Sequence, residues 1–233
     1  MGQVLDFPMK AVGAASRALT EPLRHWPAHS VDDFGRDPHL VQALTPLVRL
    51  RWNTSVGGLH HLPTRGGALL VCNNRRWAMH SVAAAFALSE AAGRPVRFVG
   101  RPDTVPFGPW MRRIGGLLSR PDEVRSALHH HELVIVSCAG TADPRHAGVV
   151  DHQLIGAAVV TKSPIFPLGL LTSSLGRTAR AEVGPQVRAK RQRKGPLAEV
   201  ELAEQVQHHV QRMLDGMGGL QTGITPFDWF TES

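Results

Sequence analysis

The chain has 233 residues, 42% of them hydrophobic and 19% charged, with 26 Lys and Arg against 19 Asp and Glu for a formal net charge of +7. That is enough apolar material for one self-standing core and too much for a disordered chain. Two cysteines exclude a disulfide framework and fit a cytosolic protein, and no apolar run reaches the roughly 18 residues that span a bilayer.

Residues 1–37 carry Pro8, Pro22 and Pro27 and read as an irregular arm with one helix near 12–19. No charged n-region leads an apolar h-region, and Asp6 stands where an N-myristoylation signal wants Ser or Thr, so neither leader nor lipid anchor is expected. Asp37-Pro38 opens a helix through Val41, Leu44 and Leu47. Residues 52–59 alternate weakly, as a strand does, and Pro63 to Gly67 is a turn signal. Ala68-Leu69-Leu70-Val71-Cys72 is a short apolar run bounded by turns, the pattern of a strand buried on both faces. An Ala-rich helix over 82–92, ended by Gly93, leads to a strand at 96–99. Short helices follow at 107–114 and 121–129, the second with Pro121 at a favoured first position. A strand at 133–136, a helix at 154–160 and a strand at 165–171 complete the alternation, and 177–187 reads as an extended return. Leu197, Val200, Val206, Val210 and Met213 recur at helical spacing, with Gly216 placed to close that helix.

Alternating strands and helices predict an α/β domain: a mostly parallel central sheet flanked by helices. The expected organisation is an arm over 1–37, the α/β core over 38–190, and a C-terminal helix and tail over 191–233. Ligands of such sheets bind outside the carboxyl ends of the strands. Here those ends read Asn73-Asn74-Arg75-Arg76 and Ser137-Cys138-Ala139-Gly140-Thr141. Between them lie Gly115-Gly116-Leu117-Leu118-Ser119-Arg120, and later Ser163-Pro164-Ile165-Phe166-Pro167-Leu168.

In order and spacing, these blocks and the lead-in Gly58 to Pro63 resemble the lysophospholipid and glycerol-3-phosphate acyltransferase family, from about residue 40 to 187. The resemblance implies a fold of this class and a simple chemistry. A histidine would take the proton of an acceptor hydroxyl, an aspartate would orient it, and the hydroxyl would attack the thioester of acyl-CoA or of acyl carrier protein. No metal and no resident cofactor are implied. The family's first block is Asn-His-x4-Asp and its third is Pro-Glu-Gly-Thr. Here Asn73 matches, but the histidine position holds Asn74, the aspartate position Met79 and the glutamate position Ala139. An amide has no usable basicity near neutral pH. The resemblance therefore implies a relative that has lost acyl transfer. Such a relative would bind a lysophospholipid or acyl ligand or scaffold an active acyltransferase, from the inner face of an anionic membrane. The alternative is a working acyltransferase with rearranged residues, in which His80 is the relocated base. Asn74, Arg75, Arg76, Arg120, Gly140 and Thr141 are the expected ligand contacts, with Arg120 at the position that meets the acceptor phosphate.

Other clusters read more plainly. Cys72 and Cys138 are expected as small buried residues beneath the site, and Ser137 lacks the glycine of a nucleophile elbow. His129-His130-His131 and His208-His209 read as solvated histidines. The basic run Lys190 to Lys194 is expected to touch anionic headgroups. No nucleic-acid partner is expected, since the chain has no tyrosine and no aromatic-basic platform.

Overall fold

In a computed structural model the chain is described over residues 31–74, 80–100, 102, 108–141, 143, 145–172, 177–188 and 195–218. The helix expected at 12–19 and the basic run Lys190 to Lys194 lie outside the described residues.

Helix α1 (Pro38–Arg51) begins where local chemistry says it should. The Asp37 carboxylate accepts from the Leu40 amide at 3.1 Å, and Pro38 sits where no amide is needed. Asp37 is itself buried and held by Arg113 Nη2 at 2.6 Å. Burial pushes its carboxyl up, but the Leu40 amide and the Arg113 guanidinium outweigh that and hold it below the usual range.

The chain then runs through β1 (Asn53–Gly57), β2 (Ala68–Cys72), α2 (His80–Ala92), β3 (Val96–Gly100), α3 (Gly108–Arg113), β4 (Gly116–Leu118) and α4 (Pro121–His129). It continues through β5 (Leu133–Ser137), α5 (His152–Thr161), β6 (Ile165–Thr172), β7 (Thr178–Val183) and α6 (Pro196–Met217). The strands form one seven-stranded sheet in the order β1-β7-β6-β2-β5-β3-β4. All pairings are parallel except β6 with β7, so β7 and β1 run against the other five. This is the predicted mostly parallel α/β sheet.

Strand β2 is central, and every one of its residues is buried. Leu69 and Val71 join Val134, Val136 and the inner faces of α4, α5 and α6 on one side. Ala68, Leu70 and Cys72 join Ile135, Phe98 and the faces of α1 and α2 on the other. Full burial of each such aliphatic side chain contributes about 1.5–3 kcal/mol, which explains the absence of polar alternation in the run. By contrast β1, at the sheet edge, alternates exposed and half-buried residues.

Two features differ from the sequence-based expectation. Gly216 does not close the last helix, which runs to Met217 and reverses at Gly218 (φ +66°). Met217 is buried against Gly169 of β6, and that packing holds the last turn. Strand β4 was not anticipated: three residues on a sheet edge are too few to carry a period.

Pro167 sits inside β6, where a missing amide would normally break a ladder. Its carbonyl accepts from Gly184, one residue beyond the end of β7, so its nitrogen faces the place where that ladder stops.

Candidate functional site

The carboxyl ends of β2 and β5 are joined by geometry beyond the strands themselves. Cys72 pairs with Ser137 in register. The Cys138 amide donates to Cys72 O at 2.8 Å, and the Thr141 amide donates to Asn74 O at 3.0 Å. The Asn73-Asn74 and Ala139-Gly140-Thr141 segments therefore lie side by side above the centre of the sheet.

Asn73 anchors this arrangement. Its side chain is fully buried and clasps the backbone of Leu170 in β6, with Nδ2 donating to the carbonyl and Oδ1 accepting from the amide, both at 2.8 Å. The amide side chain acts as an extra rung between β2 and β6. Neither Asp nor Leu offers a donor and an acceptor together.

On the partner segment, Ala139 and Gly140 are exposed. Thr141 turns its hydroxyl back onto its own loop, towards Asp143 O at 2.6 Å and His146 O at 3.1 Å. The Ala139 amide donates to Val149 O at 2.8 Å, closing a loop in which Asp143 also meets His146 Nδ1 at 2.8 Å. The Arg145 amide, aided by His146, holds the exposed Asp143 carboxyl below its ordinary value against the opposing effect of burial. Gln211 of α6 reaches this loop through the Ala147 amide and Arg145 O.

Of the other expected contacts, Arg75, Arg76 and Met79 lie outside the described residues, and His80 is the first residue of α2. Arg120 is exposed and precedes α4 as its N-cap, at the carboxyl end of β4. Three strand spacings separate β2 from β4, roughly 14 Å. Asn74 and Thr141 are thus brought together, while Arg120 stands apart on the same edge of the sheet. The two glycines preceding it have packing roles. Gly115 takes φ +105°, and a Cβ on Gly116 would lie 2.7 Å from Met111 O.

Both cysteines are buried beneath the site, as expected. Cys72 Sγ is 3.7 Å from Ser137 Oγ. Burial pushes the Cys72 thiol up to about 11 and the Cys138 thiol up to about 12. The thiolate is the nucleophile, so neither sulfur is armed near neutral pH. Iodoacetamide at about pH 8 is expected to label neither thiol in the native chain and both in denaturant, by intact mass. Native labelling of Cys138 would show that the strand ends open.

His129, His130 and His131 are exposed at the end of α4, and among the described residues no group of three His, Cys, Asp or Glu side chains converges as a metal site. No described helix is long and apolar enough to cross a membrane.

The 1-acyl-sn-glycerophosphate (LPA) acyltransferase PlsC from Thermotoga maritima has a similar structure. The TM-score is 0.53 at 15% identity, over 79% of this chain and 85% of that one. The chain has an acyltransferase-like fold. No family model matches the sequence, and no curated protein matches it. Within this acyltransferase-like fold, Asn74 and Ala139 sit at adjoining strand ends on either side of the Asn74–Thr141 hydrogen bond.

Sequence reasoning missed a second group of charges: Asp32, Arg36, Asp37, Arg97 and Glu132. The available signal was Arg97 itself, a charge inside the apolar run Val96 to Val99.

Proposed function

We propose that this chain descends from glycerolipid acyltransferases, has lost acyl transfer, and uses the joined ends of β2 and β5 to hold a lysophospholipid or acyl ligand or to scaffold an active acyltransferase. The observation that carries this reading is the identity of the residues at the joined ends of β2 and β5. The Asn73–Leu170 clasp and the Asn74–Thr141 bond support this reading, because they hold Asn73, Asn74 and Thr141 beyond the carboxyl ends of β2 and β5, where such sheets bind ligands. The histidine and glutamate expected on the family pattern are an amide and a methyl there, and neither moves a proton. Acyl-CoA or acyl carrier protein would be the donor if turnover survives. The net charge of +7 favours peripheral contact with an anionic membrane, on the cytoplasmic face.

One observation favours the second reading, an active enzyme with rearranged machinery. His80 opens α2 directly after the loop that leaves β2. Positioning and electrostatics alone retain part of a rate.

The test uses lysophosphatidic acid and labelled acyl-CoA, with the parent chain beside Asn74→His/Met79→Asp/Ala139→Glu. The expected result is no turnover by the parent, lysolipid binding retained, and measurable acylation by the triple variant. Turnover by the parent that disappears in His80→Ala would sink the loss of acyl transfer and make His80 the base.

A further inference from the structure

Arg97 lies on β3 with its side chain fully buried. Its Nη2 donates to Asp32 at 2.5 Å and to Glu132 at 3.3 Å, and its guanidinium lies over the Phe34 ring at 5.1 Å. Both nearby carboxylates are thereby committed to Arg97.

Arg36 is beside it and is treated differently. Only 9% of its surface is exposed, and among the described residues its guanidinium has no hydrogen bond and no ion pair. Burial holds its pKa down, the Arg97 charge adds to that, and Asp32 and Glu132 offset part of it. Its chain passes over Gly115, where a Cβ would lie 3.4 Å from Arg36 Cδ. The buried nitrogens left without a partner among the described residues are Arg97 Nε and Nη1 and Trp110 Nε1, so the exposed remnant of Arg36 includes its guanidinium.

The guanidinium borders a cleft of about 380 Å³ between α1 and α2. Gln42 and Ser89, whose side chains make no hydrogen bond among the described residues, line it, and Val41 and Phe86 contribute apolar wall. Arg49 and Glu90 also line it but pair with each other. The cleft thus keeps one guanidinium with no hydrogen-bonded partner among the described residues, a planar fork suited to phosphate oxygens. Its volume leaves room for an organic portion against Phe86. Arg36 adjoins Gly115 and Val96, at the amino ends of β4 and β3, whereas Asn74 and Thr141 lie beyond the carboxyl ends of β2 and β5.

We propose that this cleft is a separate binding site for a small phosphomonoester, with the phosphate on Arg36.

Inorganic phosphate is the probe, titrated into the full chain at constant ionic strength while the melting temperature is followed. A saturable rise is expected, reaching roughly 5–10 °C at a hundredfold excess over Kd. Arg36→Met is expected to abolish the rise and, having lost an unpaired buried charge, to melt no lower than the parent without phosphate. Ser89→Asp sets a carboxylate in the cleft without touching Arg36 and is expected to abolish the rise as well. Arg120→Met is expected to keep it. An equal rise with chloride would reduce the effect to screening and overturn the site. Loss of the rise in Arg120→Met but not in Arg36→Met would move the phosphate to the carboxyl end of β4, overturning this proposal while leaving the proposed function intact.

Discussion

Asn73→Leu, a nearly isosteric change at a fully buried position, is expected to lower the stability of the chain by about 4 kcal/mol. The leucine fills nearly the same space but leaves the Leu170 amide and carbonyl without their partner. Each buried backbone group left unsatisfied costs about 1–3 kcal/mol. Neither group can turn elsewhere, because Leu170 lies within β6 between β2 and β7. Urea unfolding of parent and variant measures the difference. A loss below about 1 kcal/mol would mean that water or a shifted strand satisfies Leu170, and that Asn73 does not set the register of the joined strand ends.

Gly148→Ala is expected to cost about 3 kcal/mol and to disturb the Asn74–Thr141 contact directly. A Cβ on Gly148 would overlap the Ala139 carbonyl oxygen and lie 2.8 Å from its carbon. Those are backbone atoms, and the Ala139 amide is already bonded to Val149 O at 2.8 Å, so no side chain can rotate aside to make room. One of the two strands of this loop must move, and Thr141 with it. Hydrogen exchange reads the consequence: the Thr141 amide, which donates to Asn74 O, should lose protection in the variant. Gly216→Ala is the control, because a Cβ there meets nothing within 4 Å. Unchanged protection at Thr141 in Gly148→Ala would refute the view that this close approach holds the site together.

The candidate site was legible in part, and the parts differ in kind. Asn74, Ala139, Gly140 and Thr141 were readable as strand-end residues because each follows an apolar run that only a buried strand explains. Asn73 was readable as a motif position, but its work was not. Its partner is 97 residues away, and no local pattern marks Leu170 as the residue it clasps. Arg120 was readable as a loop arginine, but its separation from β2 depends on two intervening strands whose order is not written locally. The glycines before it were legible as glycines, but what requires them was not, since Arg36 and the Met111 backbone occupy the space beside them.

Taken alone, the amino-acid sequence determined the elements: apolar runs for β2, β5 and β6, the Asp37-Pro38 and Pro121 starts for α1 and α4, and a fold class that follows from their alternation. These are short-range effects, in which a residue's burial pattern and capping chemistry involve neighbours within a turn or two. Tertiary structure decided the rest. It ordered the strands as β1-β7-β6-β2-β5-β3-β4, extended α6 past Gly216 by burying Met217, and paired Asp32 and Glu132 with the Arg97 guanidinium rather than with that of Arg36. Those outcomes depend on contacts between residues tens of positions apart, where competition for a buried partner is settled by packing and desolvation rather than by any local preference.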